Sequence, residues 1–272
     1  MASDAKSPLA LWHLLSLDAP TVAALWTWFI AAACRVHLPL LSILAMTAAV
    51  WTLYASDRLL DARFSNPDAL EARHHFHHRH RTAFLAGIGC SSVLLAALLP
   101  HIPQKAIHLY LALGGLVFGY FVLIHASDSA HRLPKEIAVG VCFAAAVFIP
   151  TVSREPALRP VLLAPALLFA ALCSLNCLFI YTWEHPAPAR QSTHPITAFA
   201  LKRLPAFTIA VATTSASLAI FDHAHSPIYS AIAISAITLL LLHRWRNRHA
   251  ELTLRTAADL ALLTPALFLA FL

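Results

Sequence analysis

The sequence predicts an all-α integral membrane protein: a bundle of nine transmembrane helices, N-terminus inside and C-terminus outside. Three observations carry that prediction. The first is composition: 59% of the 272 residues are hydrophobic and only 12% are charged, against about 25% charged in soluble domains. So few charges cannot cover a soluble core of this size, so lipid solvates much of the surface. The second is a set of nine apolar runs near the ~20 residues that a membrane-spanning helix needs. The third is the alternation of basic residues between them, which obeys the positive-inside rule.

In chain order, Ser7 to Leu17 reads as a short interfacial helix, with Trp12 and His13 at the headgroup level. It is not read as a secretory signal, because Asp4 and Asp18 bracket it without a Lys/Arg-led start or a small-residue cleavage site. Asp18 serves as N-cap of the next helix, with Pro20 in its first turn. The nine runs then cover residues 19–36, 38–56, 82–100, 106–125, 135–152, 160–183, 204–221, 228–243 and 256–272. With the N-terminus inside, the inside segments hold 15 of the 19 Lys and Arg residues, and the outside segments hold 4: Arg35, Lys105, Arg154 and Arg159. A miscounted helix would scramble that split. The net charge of +6 follows from the same bias and gives no reason to expect nucleic acid as a partner. Cys34, Cys90, Cys142, Cys173 and Cys177 lie in or beside apolar runs with no Cys-x-x-Cys, and read as small apolar residues. No second domain is visible, so residues 1–272 are expected to form one transmembrane domain.

The inside loops hold nearly all the residues capable of chemistry. Helix 2 ends with Asp57 and Asp61, four residues apart and so on one helix face. Such a pair suits a hard cation such as Mg²⁺, which takes one or two protein carboxylates and leaves positions for substrate phosphates. It equally suits two solvated charges pairing with Arg58, Arg63 or lipid headgroups. Downstream, Arg73-His-His-Phe-His-His-Arg-His-Arg81 offers Arg73, Arg79 and Arg81 to a phosphate or diphosphate. It also suits the surface of an anionic membrane, or a transition metal. Arg132 and Lys135 stand beside Pro134 at the start of helix 5, placed either for a diphosphate or as positive-inside charges. Helix 6 carries Asn176 inside its apolar run and ends Tyr181-Thr-Trp-Glu184. A polar side chain at that depth faces the bundle interior, as an interhelical hydrogen bond or as part of a site. There is no Gly-rich phosphate loop, no Gly-x-Ser-x-Gly and no His-Glu-x-x-His.

This layout resembles the UbiA superfamily of intramembrane prenyltransferases, which has nine helices, the N-terminus inside, and two Asp-rich motifs on the inner side after helices 2 and 6. Arg132-Leu-Pro-Lys-Glu-Ile-Ala-Val-Gly-Val-Cys-Phe-Ala144 is similar to the start of the family's helix 5. The family's first motif, Asn-Asp-x-x-Asp-x-x-x-Asp, meets Ser56-Asp57 here, with Asp57 in register. Leu60 and Phe64 stand at its other two Asp positions, and Asp61 lies one place late. At the second motif Asn176 matches the Asn, Cys177 and Ile180 replace two Asp, and Glu184 takes the last place.

The resemblance implies a transferase that moves an isoprenoid from a prenyl diphosphate to a lipophilic acceptor with the help of Mg²⁺. Asp57, Asp61 and Glu184 would hold the metal, and Asp57, Asp61 and Lys135 would form the catalytic set. Arg73, Arg79, Arg132, Asn176, Tyr181 and Glu184 would bind substrate. Tyr54, Tyr120 and Trp183 would surround the carbocation. The alternative is a catalytically degenerate UbiA-fold protein that binds lipid, quinone or isoprenoid, or scaffolds a partner. A transporter fits less well, because almost no ionisable residue lies mid-bilayer. The expected location is a multi-pass position in a bacterial inner (plasma) membrane, in contact with membrane lipid.

Overall fold

A backbone in hydrocarbon must satisfy its N–H and C=O groups within the chain, and for apolar runs of this length that leaves the helix. The computed structural model describes residues 8–64, 72–126, 134–185, 194–248 and 250–270. Among them every regular element is helical and none is a strand. Six helices among the described residues are long and apolar enough to cross a membrane: Leu40–Leu60, Arg81–His101, Lys135–Arg154, Leu163–Glu184, Leu204–Phe221 and Ser226–Arg248. Such a set marks a multi-pass membrane protein. Their outward faces carry exposed Leu53, Val93, Leu167 and Phe221, side chains suited to contact with lipid tails.

The chain divides into two compact units, one formed by Met1–Ala24 with Pro39–Ile102 and the other by Leu25–Leu38 with Pro103–Leu272. The first holds α1 (Pro8–Leu14), the start of α2 (Asp18–Ala33), α3 (Leu40–Phe64), α4 (Ala72–Arg79) and α5 (Arg81–Leu98). Here α3 packs on α4 and α5, and α1 on α4. Gly87 lets α5 close on α3, since a Cβ at that position would stand 2.7 Å from the Trp51 ring. The Trp51 ring stacks on Phe84 at 6.4 Å, and its Nε1–H donates to the Leu15 carbonyl at 3.1 Å.

The second unit holds the rest of α2, then α6 (Gln104–Ala126), α7 (Lys135–Arg154), α8 (Leu163–Glu184), α9 (Pro195–Lys202), α10 (Leu204–Phe221), α11 (Ser226–Trp245) and α12 (Glu251–Ala261). Proline sets several of the helix starts, where its missing N–H costs nothing: Pro195, Pro205 and Pro227 all stand in first turns. Helix α8 is the centre of this unit and packs on α7, α10, α11 and α12. Gly140 permits the α7–α8 contact, because a Cβ there would lie 2.4 Å from the Ser174 backbone nitrogen. Trp26 is fully buried against Phe169, with ring centroids 4.3 Å apart, and donates to the Leu262 carbonyl at 2.7 Å.

Two sequence expectations change. The run at 256–272 is not one helix through its described residues: α12 ends at Ala261 and a 3-10 turn follows at Thr264–Phe268. Pro265 brings no N–H to continue the α-helical pattern, and Thr264 is tied to Ser235 Oγ at 2.7 Å and to the Ala231 carbonyl at 2.9 Å. His13, expected at the headgroup level, is fully buried.

Candidate functional site

Two polar clusters stand out, one in each unit. In the first unit a residue with left-handed backbone, Ser16 (φ 58°), turns the chain from α1 into α2. That turn brings Ser16, His13 and Asp18 onto one cation, Arg58 of α3. The guanidinium donates to the His13 carbonyl at 2.7 Å, to Ser16 Oγ at 3.1 Å and to Asp18 Oδ2 at 3.0 Å. His13 Nδ1 lies 2.6 Å from the same carboxylate oxygen. Ser16 Oγ also meets His77 Nε2 of α4 at 3.1 Å, and the His77 ring stacks on Phe84 at 4.2 Å. Burial pushes the Asp18 carboxyl up, but Arg58 and the His13 contact outweigh it and hold the pKa down at about 2. Tyr54 lies under the Arg58 guanidinium, 5.2 Å from centroid to carbon. Every polar member of this cluster bonds within it, so it joins α1, α3 and α4 as a clamp. The sequence reading counted Arg58 among the inside charges and as a partner for Asp57 or Asp61, and placed Tyr54 near a carbocation.

The second cluster lies between α8 and α12. Arg255 and Asp259 are four apart on α12 and so share a face. The Arg255 Nη1 donates to Glu184 Oε1 in a short ion pair, with the two side chains 15% and 8% exposed. Deeper along α8, Asn176 Nδ2 donates to Asp259 Oδ1 at 3.4 Å. The carboxylate accepts only, so it orients the amide with nitrogen toward Asp259. Asn176 is 5% exposed, and its Oδ1 has no hydrogen-bond partner among the described residues; the same holds for Arg255 Nε. Each rung therefore carries one buried polar atom, an acceptor on Asn176 and a donor on Arg255, unmatched among the described residues.

Other expected site residues are placed as follows. Lys135 is exposed at the first position of α7, beside a half-buried Glu136 that accepts from Thr197 Oγ1 of α9 at 3.5 Å. Tyr181 stacks on His185 at 4.3 Å, and its carbonyl contacts His185 Nδ1 at 3.2 Å. Trp183 Nε1 donates to His243 Nδ1 of α11 at 3.1 Å. The Tyr120 hydroxyl on α6 is buried with no partner among the described residues. In the first unit, Asp57 is half-buried on α3 and Arg79 is exposed at the end of α4. Asp61 and Arg73 belong to α3 and α4, but their side chains lie outside the described residues, and Arg132 lies outside them altogether.

Arg255 and Asp259 are the members that sequence reasoning missed. The signal was an Asp and an Arg four apart leading into an apolar run, since charges there need partners. Glu184, expected as a metal ligand, has its carboxylate held by a guanidinium, and Asn176 has its amide turned by Asp259. One oxygen of each carboxylate, Glu184 Oε1 and Asp259 Oδ1, is thus engaged by a neighbouring donor. Compared with family models, curated proteins and solved structures, the chain matches none.

Proposed function

We propose that this chain is a UbiA-like membrane prenyltransferase, transferring an isoprenoid from a prenyl diphosphate to a lipophilic acceptor within a bacterial inner membrane. The observation that carries the reading is the polar seam where the amphipathic α12 meets the apolar α8: Asn176, Glu184, Arg255 and Asp259. Asn176 lies within the apolar span of α8, where a buried polar side chain marks a candidate functional position. In the transfer, the allylic C–O bond to the diphosphate breaks and the carbon bonds to the acceptor. The acceptor's proton is released, and the diphosphate leaves with the electron pair. Lys135, exposed at the start of α7, offers positive charge to the departing diphosphate. Asn176 positions a polar group of substrate through its buried Oδ1. Mg²⁺ would screen the leaving diphosphate when bound.

The second reading, a non-catalytic protein of the same fold that binds isoprenoid, quinone or lipid, is favoured by the Glu184–Arg255 pair, which withdraws a carboxylate from metal chemistry. The test supplies purified protein with Mg²⁺, isotopically labelled prenyl diphosphates of several chain lengths, and a lipid extract as acceptor. Diphosphate release with label transferred to a lipid is the expected result. Retention of unreacted prenyl chains with no diphosphate released would favour the second reading.

A further inference from the structure

We infer that Arg255 is the resident cation of the α8–α12 site: it neutralises Glu184 in place of a divalent metal and offers its Nε–H to a phosphate-type oxyanion. The geometry supplies both halves. One Nη of the guanidinium is spent on Glu184, whose side chain is 8% exposed, so the carboxylate already has its countercharge. The Nε–H of the same guanidinium is buried and unmatched among the described residues. A buried donor without an acceptor costs free energy until one arrives. Arg offers a planar fork of donors matched to phosphate oxygens, so an oxyanion is the chemistry this edge recognises. The other rung leaves a second buried polar atom open. Asn176 is 5% exposed, and Asp259 turns its amide so that Oδ1 remains open to a donor. A partly protonated phosphate or the hydroxyl of a bound ligand carries such a donor; a bare metal ion satisfies Asn176 but not Arg255.

The identity of the anion as a diphosphate rests on the prenyltransferase reading; the assignment of Arg255 does not. The test uses the purified full chain in detergent with two probes, Mn²⁺ alone and inorganic pyrophosphate alone. Bound Mn²⁺ is counted by electron paramagnetic resonance in wild type and Glu184→Gln. Equal counts are expected, because Glu184 holds no metal; loss of one ion in Glu184→Gln overturns the inference. Pyrophosphate binding is measured by calorimetry in EDTA. Wild type is expected to bind, Arg255→Gln to bind about tenfold or more weakly, and Arg255→Lys to fall between. Absence of pyrophosphate binding by wild type in EDTA, or equal binding by Arg255→Gln, overturns it. Should Arg255→Gln fail to fold, the Glu184→Gln count and the wild-type titration still decide. A chain that binds pyrophosphate through Arg255 yet turns over no prenyl diphosphate would sink the enzyme reading and leave the arginine site standing.

Discussion

At the scale of single residues, the clearest energetic statement concerns Arg58 and Asp18. Both are almost fully buried, and each supplies the other's countercharge at 3.0 Å. Removing one member of such a pair leaves a bare buried charge and costs about 3–5 kcal/mol, whereas replacing both costs far less. Arg58→Met is therefore expected to lower unfolding stability in detergent by about that amount, with Asp18→Asn in the same chain recovering part of the loss. A double-mutant cycle of chemical unfolding reads this directly; an additive double variant would mean the pair is not coupled. The pH dependence has a definite sign. Asp18 is held at about 2 in the folded chain against 3.8 for an ordinary Asp, so its contribution is present above pH 3.8 and lost as pH falls toward 2. Wild type should lose stability across that window, and Asp18→Asn should lose less. Little of this was legible in the sequence. Arg58 sits among the other basic residues of its loop, and only the Ser16 turn brings His13, Ser16 and Asp18 around it. Arg255 was hidden in the same way, counted as one more inside charge.

At the scale of elements, the sequence was a better guide, because apolar length and proline position act locally. The spans at 38–56, 82–100, 135–152, 160–183, 204–221 and 228–243 correspond to α3, α5, α7, α8, α10 and α11, with ends shifted by a few residues except at α3, which runs on to Phe64. The run at 256–272 failed because periodicity cannot see that Thr264 is drawn to α11 by Ser235 and Ala231. The short helices α4 and α9 were read as loop for the opposite reason. Neither is apolar enough to register as a span; α4 is anchored by His77, and α9 by Pro195 with His194 Nδ1 accepting from the Ile196 N–H at 3.2 Å. Close approach of helices is likewise invisible in composition, and Gly140 tests it. A methyl group there would meet Ser174 backbone at 2.4 Å, and backbone cannot swing aside as a flexible side chain can. Gly140→Ala should cost about 1–3 kcal/mol or more by forcing α7 from α8. Gly89, with open space around its Cβ position, should accept Ala without loss. Thermal unfolding of the two variants side by side checks this; equal tolerance would mean the α7–α8 contact is looser than described.

At the scale of the whole molecule, the 15-to-4 distribution of basic residues makes a prediction about topology. In a chain with its native cysteines replaced, Arg79→Cys and Lys202→Cys, both at exposed positions, should resist a membrane-impermeant maleimide added from outside intact cells. Labelling of either would reverse or break the proposed orientation. Function at this scale follows from what the helices bring together. Within the second unit, α8 and the amphipathic α12 meet through two polar rungs. The measurement that bears most directly on the central claim is single-substrate turnover: purified wild type and Asn176→Leu, each given a labelled prenyl diphosphate, Mg²⁺ and a lipid extract. Binding of labelled chain is followed alongside diphosphate release. The account predicts diphosphate release and lipid labelling by wild type, and loss of both in Asn176→Leu while the protein stays folded. Wild type that neither binds nor cleaves any prenyl diphosphate would contradict it.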